Sequence, residues 1–200
     1  MIDNLEIIKP HLIFEDEHDF YFLQIIQRKK DHPDGTVVGS NNSSRLIKAY
    51  YIYSIKHLEM YYKEIKMLCE LFEARACLNL NKRNAVDVSL RMLERLASNI
   101  RSNHPQSSAS LYNTVCGETH SEKDKKWIVD IDTKDENLIS LVINNIRNCE
   151  PNIGTSKVIE IIPSKCGVHI ITKPFNLMEF KKLHPNIDVH KNNPTNLLIP

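Results

Sequence analysis

The order of periodicities in the last third of the chain limits its possible folds more than any other feature. Trp127-Ile128-Val129-Asp130-Ile131-Asp132 is a short apolar run that closes on two acids. Its length and β-branched content predict a strand. Residues 135–149 then place Leu138, Leu141, Val142, Asn145 and Ile146 on one helical face. Lys157 to Ile162 is a β-branched strand, Pro163-Ser164-Lys165-Cys166-Gly167 supplies a turn, and Val168 to Thr172 makes another strand. Pro174 and Asn176 open a short helix over Leu177 to Leu183. Ile187 to Val189 begins a last strand, which resumes at Leu197 to Ile199.

Read in sequence, these elements run β-α-β-β-α-β, the split βαβ pattern of RRM-like and ferredoxin-like sheets. In that topology the first and third strands are antiparallel neighbours, and the fourth flanks the first. The end of strand one therefore meets the starts of strands three and four. Asp130, Asp132, His169 and Asp188 are thus expected at one end of the sheet. Asp130 and Asp132 are two apart and share a face, while Val129 and Ile131 face the helices. Three carboxylates suit a hard divalent ion, Mg2+ or Mn2+. A plainer reading has Asp132 start the turn at Thr133-Lys134-Asp135 or cap the helix, and has His169 as a satisfied core histidine. Asp130 is harder to explain that way, since a carboxylate between Val129 and Ile131 carries a desolvation cost. Gly167, two residues before His169, is expected to let a ligand approach closely.

The first part of the chain reads differently. Residues 18–30 and 44–73 have helical spacing, with Ser43 or Ser44 as an N-cap and a turn-rich linker over 31–42. Arg75 to Asn81 alternates like a strand. Residues 84–101 return to helix, with Val86, Leu90, Leu93 and Leu96 on one stripe. The polar segment 102–122 reads as a long loop and a boundary. The expected architecture is α+β: a largely helical αβ module over 1–122, then an RRM-like core over 123–200. Arg75, Lys82 and Arg83 are candidates for a phosphate or template path, or simply solvated charges.

With 42% hydrophobic and 26% charged residues, the chain has the composition of a globular protein. No apolar run is long enough to span a membrane. Its start lacks the basic and apolar regions of a secretion signal, so a cytoplasmic location is expected. The net charge of +1 neither demands nor excludes nucleic acid. The acidic run Glu15-Asp16-Glu17 and the basic run Arg28-Lys29-Lys30 are expected to cancel as neighbouring solvated faces. Five scattered cysteines without a CxxC fit a reducing compartment. Cys116 and His120 have CxxxH spacing, with His104 upstream, but a complete zinc set is not spelled out.

At the acids and the histidine, the sequence resembles the archaeo-eukaryotic primase superfamily. That pattern is a hydrophobic strand ending in D-x-D, a small-x-His strand and a hydrophobic-Asp motif. Here these are Trp127 to Asp132, Ser164 to His169, and Asn186-Ile187-Asp188-Val189. The resemblance implies a primase-polymerase nucleotidyltransferase that joins nucleotides by two-metal phosphoryl transfer. Asp130, Asp132 and Asp188 would be catalytic and hold the metals. His169, with Gly167 beside it and Ser164 or Lys165 nearby, would contact an incoming triphosphate, and Arg75 and Arg83 would join the nucleotide site. Implied partners are nucleoside triphosphates, single-stranded or primed nucleic acid and replication proteins. Twelve residues follow Asp188 and no zinc module is evident. A short phage or mobile-element form, or one portion of a longer polypeptide, would fit both facts. Cyclases and polymerase palms place an acid on the hairpin that here spans Pro163 to Gly167, and rolling-circle nucleases need paired histidines. The remaining alternative is a non-catalytic RRM-like nucleic-acid-binding or scaffold protein in phage or mobile-element replication, with residues 44–101 as a partner surface.

Overall fold

Phe20-Tyr21-Phe22-Leu23-Gln24-Ile25 is apolar on both sides of an extended chain, and it lies at the centre of the first of two antiparallel sheets. The computed structural model describes residues 1–32, 44–104, 108–151 and 157–200. In chain order the elements are β1 (Ile2–Asp3), α1 (Leu5–Ile8), β2 (Asp19–Arg28), β3 (Ser44–Ile52), α2 (Ile55–Leu71), β4 (Arg75–Leu78), β5 (Arg83–Asn84), α3 (Ala85–Arg101) and α4 (Ser108–Glu118). They continue with β6 (Trp127–Ile131), α5 (Glu136–Asn148), β7 (Val158–Pro163), β8 (Val168–Thr172), α6 (Leu177–Leu183), β9 (Asp188–His190) and β10 (Thr195–Ile199). The chain is α+β. The first sheet is ordered β1-β10-β4-β2-β3, with β5 also on β2; the second is ordered β7-β8-β6-β9. No helix among the described residues is long and apolar enough to cross a membrane.

The first part is built on a sheet rather than chiefly on helices. Residues 18–30 were expected to be helical, but 19–28 form β2. Alternate β2 side chains enter different cores: Tyr21, Leu23 and Ile25 join one cluster, and Phe20 and Phe22 another with Val88, Leu111 and Val115. A strand buried on both faces has no two-residue polarity pattern to betray it. The expected helix over 44–73 is divided likewise. Ser44–Ile52 pairs with β2, and the helix begins only after Ser54, whose hydroxyl accepts from His57 N at 3.1 Å. The true N-cap is thus Ser54 rather than Ser44, and Ser43 lies outside the described residues, as does most of the expected linker. The expected loop over 102–122 contains α4, held by the buried Leu111, Val115 and Cys116. Its Ser, Asn, Thr and Gly content hides that short apolar stripe.

The second part follows the expected order of elements, with one difference at its end. β9 and β10 were expected to be one interrupted strand, but they belong to different sheets. β10 crosses over to pair with β4 and β1. The cluster around Leu23 and Ile25 also takes in Ile128, Ile162 and Ile171 from the second sheet and Leu197 and Leu198 from β10. The two sheets therefore share a core. Buried Asn4 reinforces this junction, donating to Pro163 O at 2.9 Å and Asn196 O at 2.8 Å.

Candidate functional site

Pairing on both sides of β6 sets the site. β8 places His169 opposite Asp130, β9 places Asp188 on the other side of Asp130, and β7 places Ile162 opposite His169. Ile162, His169, Asp130 and Asp188 thus form one row across the sheet. Val129 and Ile131 point away into a second cluster with Val142, Ile146, Phe175 and Phe180. The exposed Asp132 follows immediately after β6, and the capping role proposed for it falls to Asp135, which accepts from Asn137 N at 2.9 Å.

His169 is mostly buried, with 12% of its side chain exposed. Its Nδ1 lies 2.9 Å from Thr195 Oγ1 on β10 and its Nε2 lies 3.5 Å from Asp130 Oδ1. Burial pushes its pKa down, and the Asp130 carboxylate opposes that only in part. The ring is therefore neutral near neutral pH. With a proton on Nε2 it faces the carboxylate, while Nδ1 accepts from the threonine hydroxyl; this tautomer is assigned from the network. Thr195 came from no sequence motif, because its strand belongs to the other sheet.

Gly167 serves a different purpose from the one expected. A Cβ there would lie 1.9 Å from Ile131 O and 2.6 Å from Thr133 N. What approaches closely is the end of β6, and the missing side chain lets the β7–β8 turn close over it. Ser164 completes that turn: its N donates to Gly167 O at 2.9 Å and its Oγ accepts from Gly167 N at 3.1 Å.

A cleft of about 1000 Å³ opens between the two sheets. One wall carries Asp130, Asp132, His169, Asp188 and the exposed Lys165. The facing wall carries Arg28, Lys29, Lys30, Asp31 and Arg75. Arg75 reaches the cleft but is held by Asp31, its Nη2 being 2.5 Å from Oδ1. The same carboxylate lies 3.9 Å from Arg28 and 4.0 Å from Lys165. The basic run does not cancel against Glu15-Asp16-Glu17, because β2 separates the two by roughly 30 Å at the rise of an extended chain. Recognising β2 as a strand was the signal needed to find this wall.

Arg83 is not brought to the site. It is fully buried, with its Nε 2.7 Å from Cys116 O, a further bond to Asn81 O and a long one of 3.4 Å to Asn192 Oδ1. Burial lowers its pKa to about 10. Lys82 is also structural. Burial opposes its charge, but Glu15 at 2.5 Å and Asp19 at 2.9 Å raise its pKa above the ordinary lysine value. Neither residue lines the cleft.

The chemistry of Asp130, Asp132 and Asp188 fits a divalent ion, since all three present hard oxygen donors at one sheet end. Asp188 is 77% exposed and 4.0 Å from Lys181. Among the described residues no three His, Cys, Asp or Glu side chains converge as a ready-made metal set. The Cys116/His120 pair therefore acquires no further zinc ligands there. Comparisons with family models, curated proteins and solved structures find no match.

Proposed function

We propose that the cleft binds a nucleoside triphosphate with Mg2+ or Mn2+, and that the protein is a nucleotidyltransferase of the primase-polymerase type acting on single-stranded or primed nucleic acid. The observation that carries this reading is the opposition of charges across one cleft, with Asp130, Asp132 and Asp188 on one wall and Arg28, Lys29, Lys30 and Arg75 on the other. The β-α-β-β-α-β order, with strands arranged β7-β8-β6-β9, supports assigning the second sheet to the RRM-like class.

Asp130, Asp132 and Asp188 would hold the metal, which would neutralise phosphate charge and stabilise developing negative charge on oxygen. The basic wall orients the polyphosphate, with Arg75 and Lys165 exchanging Asp31 for a phosphate oxygen. Neutral His169 offers a hydrogen bond from Nε2 without adding a charge. The shared core beneath the cleft fixes the spacing of the two walls.

A non-catalytic nucleic-acid-binding or scaffold role is the alternative, favoured by the incomplete convergence of the three carboxylates. Against base stacking on the second sheet, Trp127 packs edge-on against Phe175, on the helix-covered side. The test is Mn2+ and NTP binding by the full chain, followed by metal-dependent nucleotide incorporation. The catalytic reading expects both activities, with loss of at least about tenfold in Mn2+ affinity for Asp130→Ala/Asp132→Ala. No Mn2+ binding by the wild type, or unchanged binding by the double variant, removes it. Nucleic-acid binding without incorporation selects the alternative.

A further inference from the structure

Helix α3 carries two apolar stripes, of which one is buried. Val88, Met92 and Leu96 pack with Phe20, Phe22 and α4. Val86, Leu90, Leu93, Ala97 and Ile100 form the second stripe; the four large side chains are 48%, 55%, 60% and 63% exposed in that order, and Ala97 is exposed as well. The steps between them are four, three, four and three, the repeat of a coiled-coil seam rather than of scattered surface residues. The helix is 17 residues long, and the stripe from Val86 to Ile100 runs for about 21 Å of it.

The flanking residues indicate what covers it. Asp87, Glu94 and Arg101 line one side of the seam, and Ser89 and Leu96 the other. Laid antiparallel on a second copy, Leu90 faces Ile100 of that copy and Leu93 faces Ala97, so large side chains oppose small ones at the middle. Asp87 then faces Arg101 of the second copy at both ends. Among the charged residues only Glu94 meets its own equivalent, near the twofold axis. A parallel pair has no such charge complement, since Ser89 and Leu96 would face Glu94 and Arg101.

We propose that α3 is a self-association surface on which two copies of this chain pair antiparallel. The α3 stripe shares no residue with the cleft. With only two heptads the dimer is weak and exchanges with monomer.

The test is sedimentation velocity of the full chain over a range of about 1–500 µM, with far-UV circular dichroism to verify folding of each variant. The wild type is expected to show reversible dimerisation, and Leu93→Glu to remain monomeric throughout. Asp87→Arg and Arg101→Asp each place like charges at both ends of the pair, and each should raise the dissociation constant at least about tenfold. Mixing these two variants restores opposite charges and should recover wild-type association. Glu94→Gln should tighten the dimer. A wild type monomeric throughout, a dimeric Leu93→Glu, no recovery on mixing, or a Glu94→Gln no tighter than wild type overturns the antiparallel pairing.

Discussion

The two sheets use most of their charge in opposite ways; the exception is Lys157 just before β7, fully buried and donating to Arg147 O and Cys149 O. In the first, buried charges are enclosed by partners from the same chain: Arg83 by three oxygens and Lys82 by Glu15 and Asp19. In the second, Asp130, Asp132 and Asp188 stand on a helix-free face, and their nearest cationic or histidine partners, where present, lie at 3.5 Å or beyond. Enclosed charge holds a fold together, because removing one partner strands the other away from water. Charge left facing a cleft adds little to folding and remains available to a ligand.

The largest expected effect lies in the first sheet. Arg83→Ala strands Cys116 O and Asn81 O and empties the volume of a large side chain, so it should cost about 3–5 kcal/mol in urea unfolding. A loss below about 1 kcal/mol would break the contrast, because Arg83 would then be no more structural than a surface residue. Next comes Gly167→Ala, where the new methyl group must displace the end of β6. A destabilisation of about 1–3 kcal/mol is expected, together with weaker Mn2+ binding as Asp130 and Asp132 move. Unchanged stability would show that the turn has room the geometry denies.

A smaller effect separates the buried histidines from Asp19 by pH. Burial lowers the pKa of His184, whose ring lies 2.9 Å from Asn145 Nδ2 in the second part of the chain. The folded form then binds fewer protons than the unfolded one, so its contribution is full above pH 6.5 and declines as pH falls below that value. In the first sheet Asp19 has the opposite chemistry. Burial opposes its charge, yet Lys82 and backbone donors lower its pKa, so its contribution persists to below pH 3.8. Burial lowers the pKa of His120 in the first part as well, so hydrogen exchange should show loss of protection around both histidines between about pH 6.5 and 5 while the amides around Asp19 hold. Simultaneous loss of protection around Asp19 would remove the distinction. The smallest effect belongs to the site: Asp130→Ala/Asp132→Ala should alter unfolding stability by no more than about 0.5 kcal/mol. A loss above about 2 kcal/mol would place these acids among the structural charges instead.

The second sheet was legible because β6 alternates between a face packed on the helices and a face that buries Ile128 against the first sheet and brings Asp130 to the cleft. Val129 and Ile131 alternate with Ile128 and Asp130, and that alternation alone predicts which residues share the cleft. Arg28, Lys29 and Lys30 were hidden for the reverse reason. They sit at and just beyond the end of a strand buried on both sides, whose continuous apolar run resembles a helix in a short window. Arg83 and Lys82 looked like surface cations because sequence carries no mark of the distant carbonyls and carboxylates that enclose them.

Local pattern therefore carried the row of Asp130, His169 and Asp188, since register follows from strand order and side-chain direction from a period of two. Whether a given charge is enclosed or open depends on partners far away in sequence. Thr195 reaches His169 only because β10 crosses to the first sheet, and Asp31 reaches Arg75 across 44 positions of sequence. Those contacts arise from packing the two sheets on one core, and such packing produces long-range pairings that no local spacing encodes.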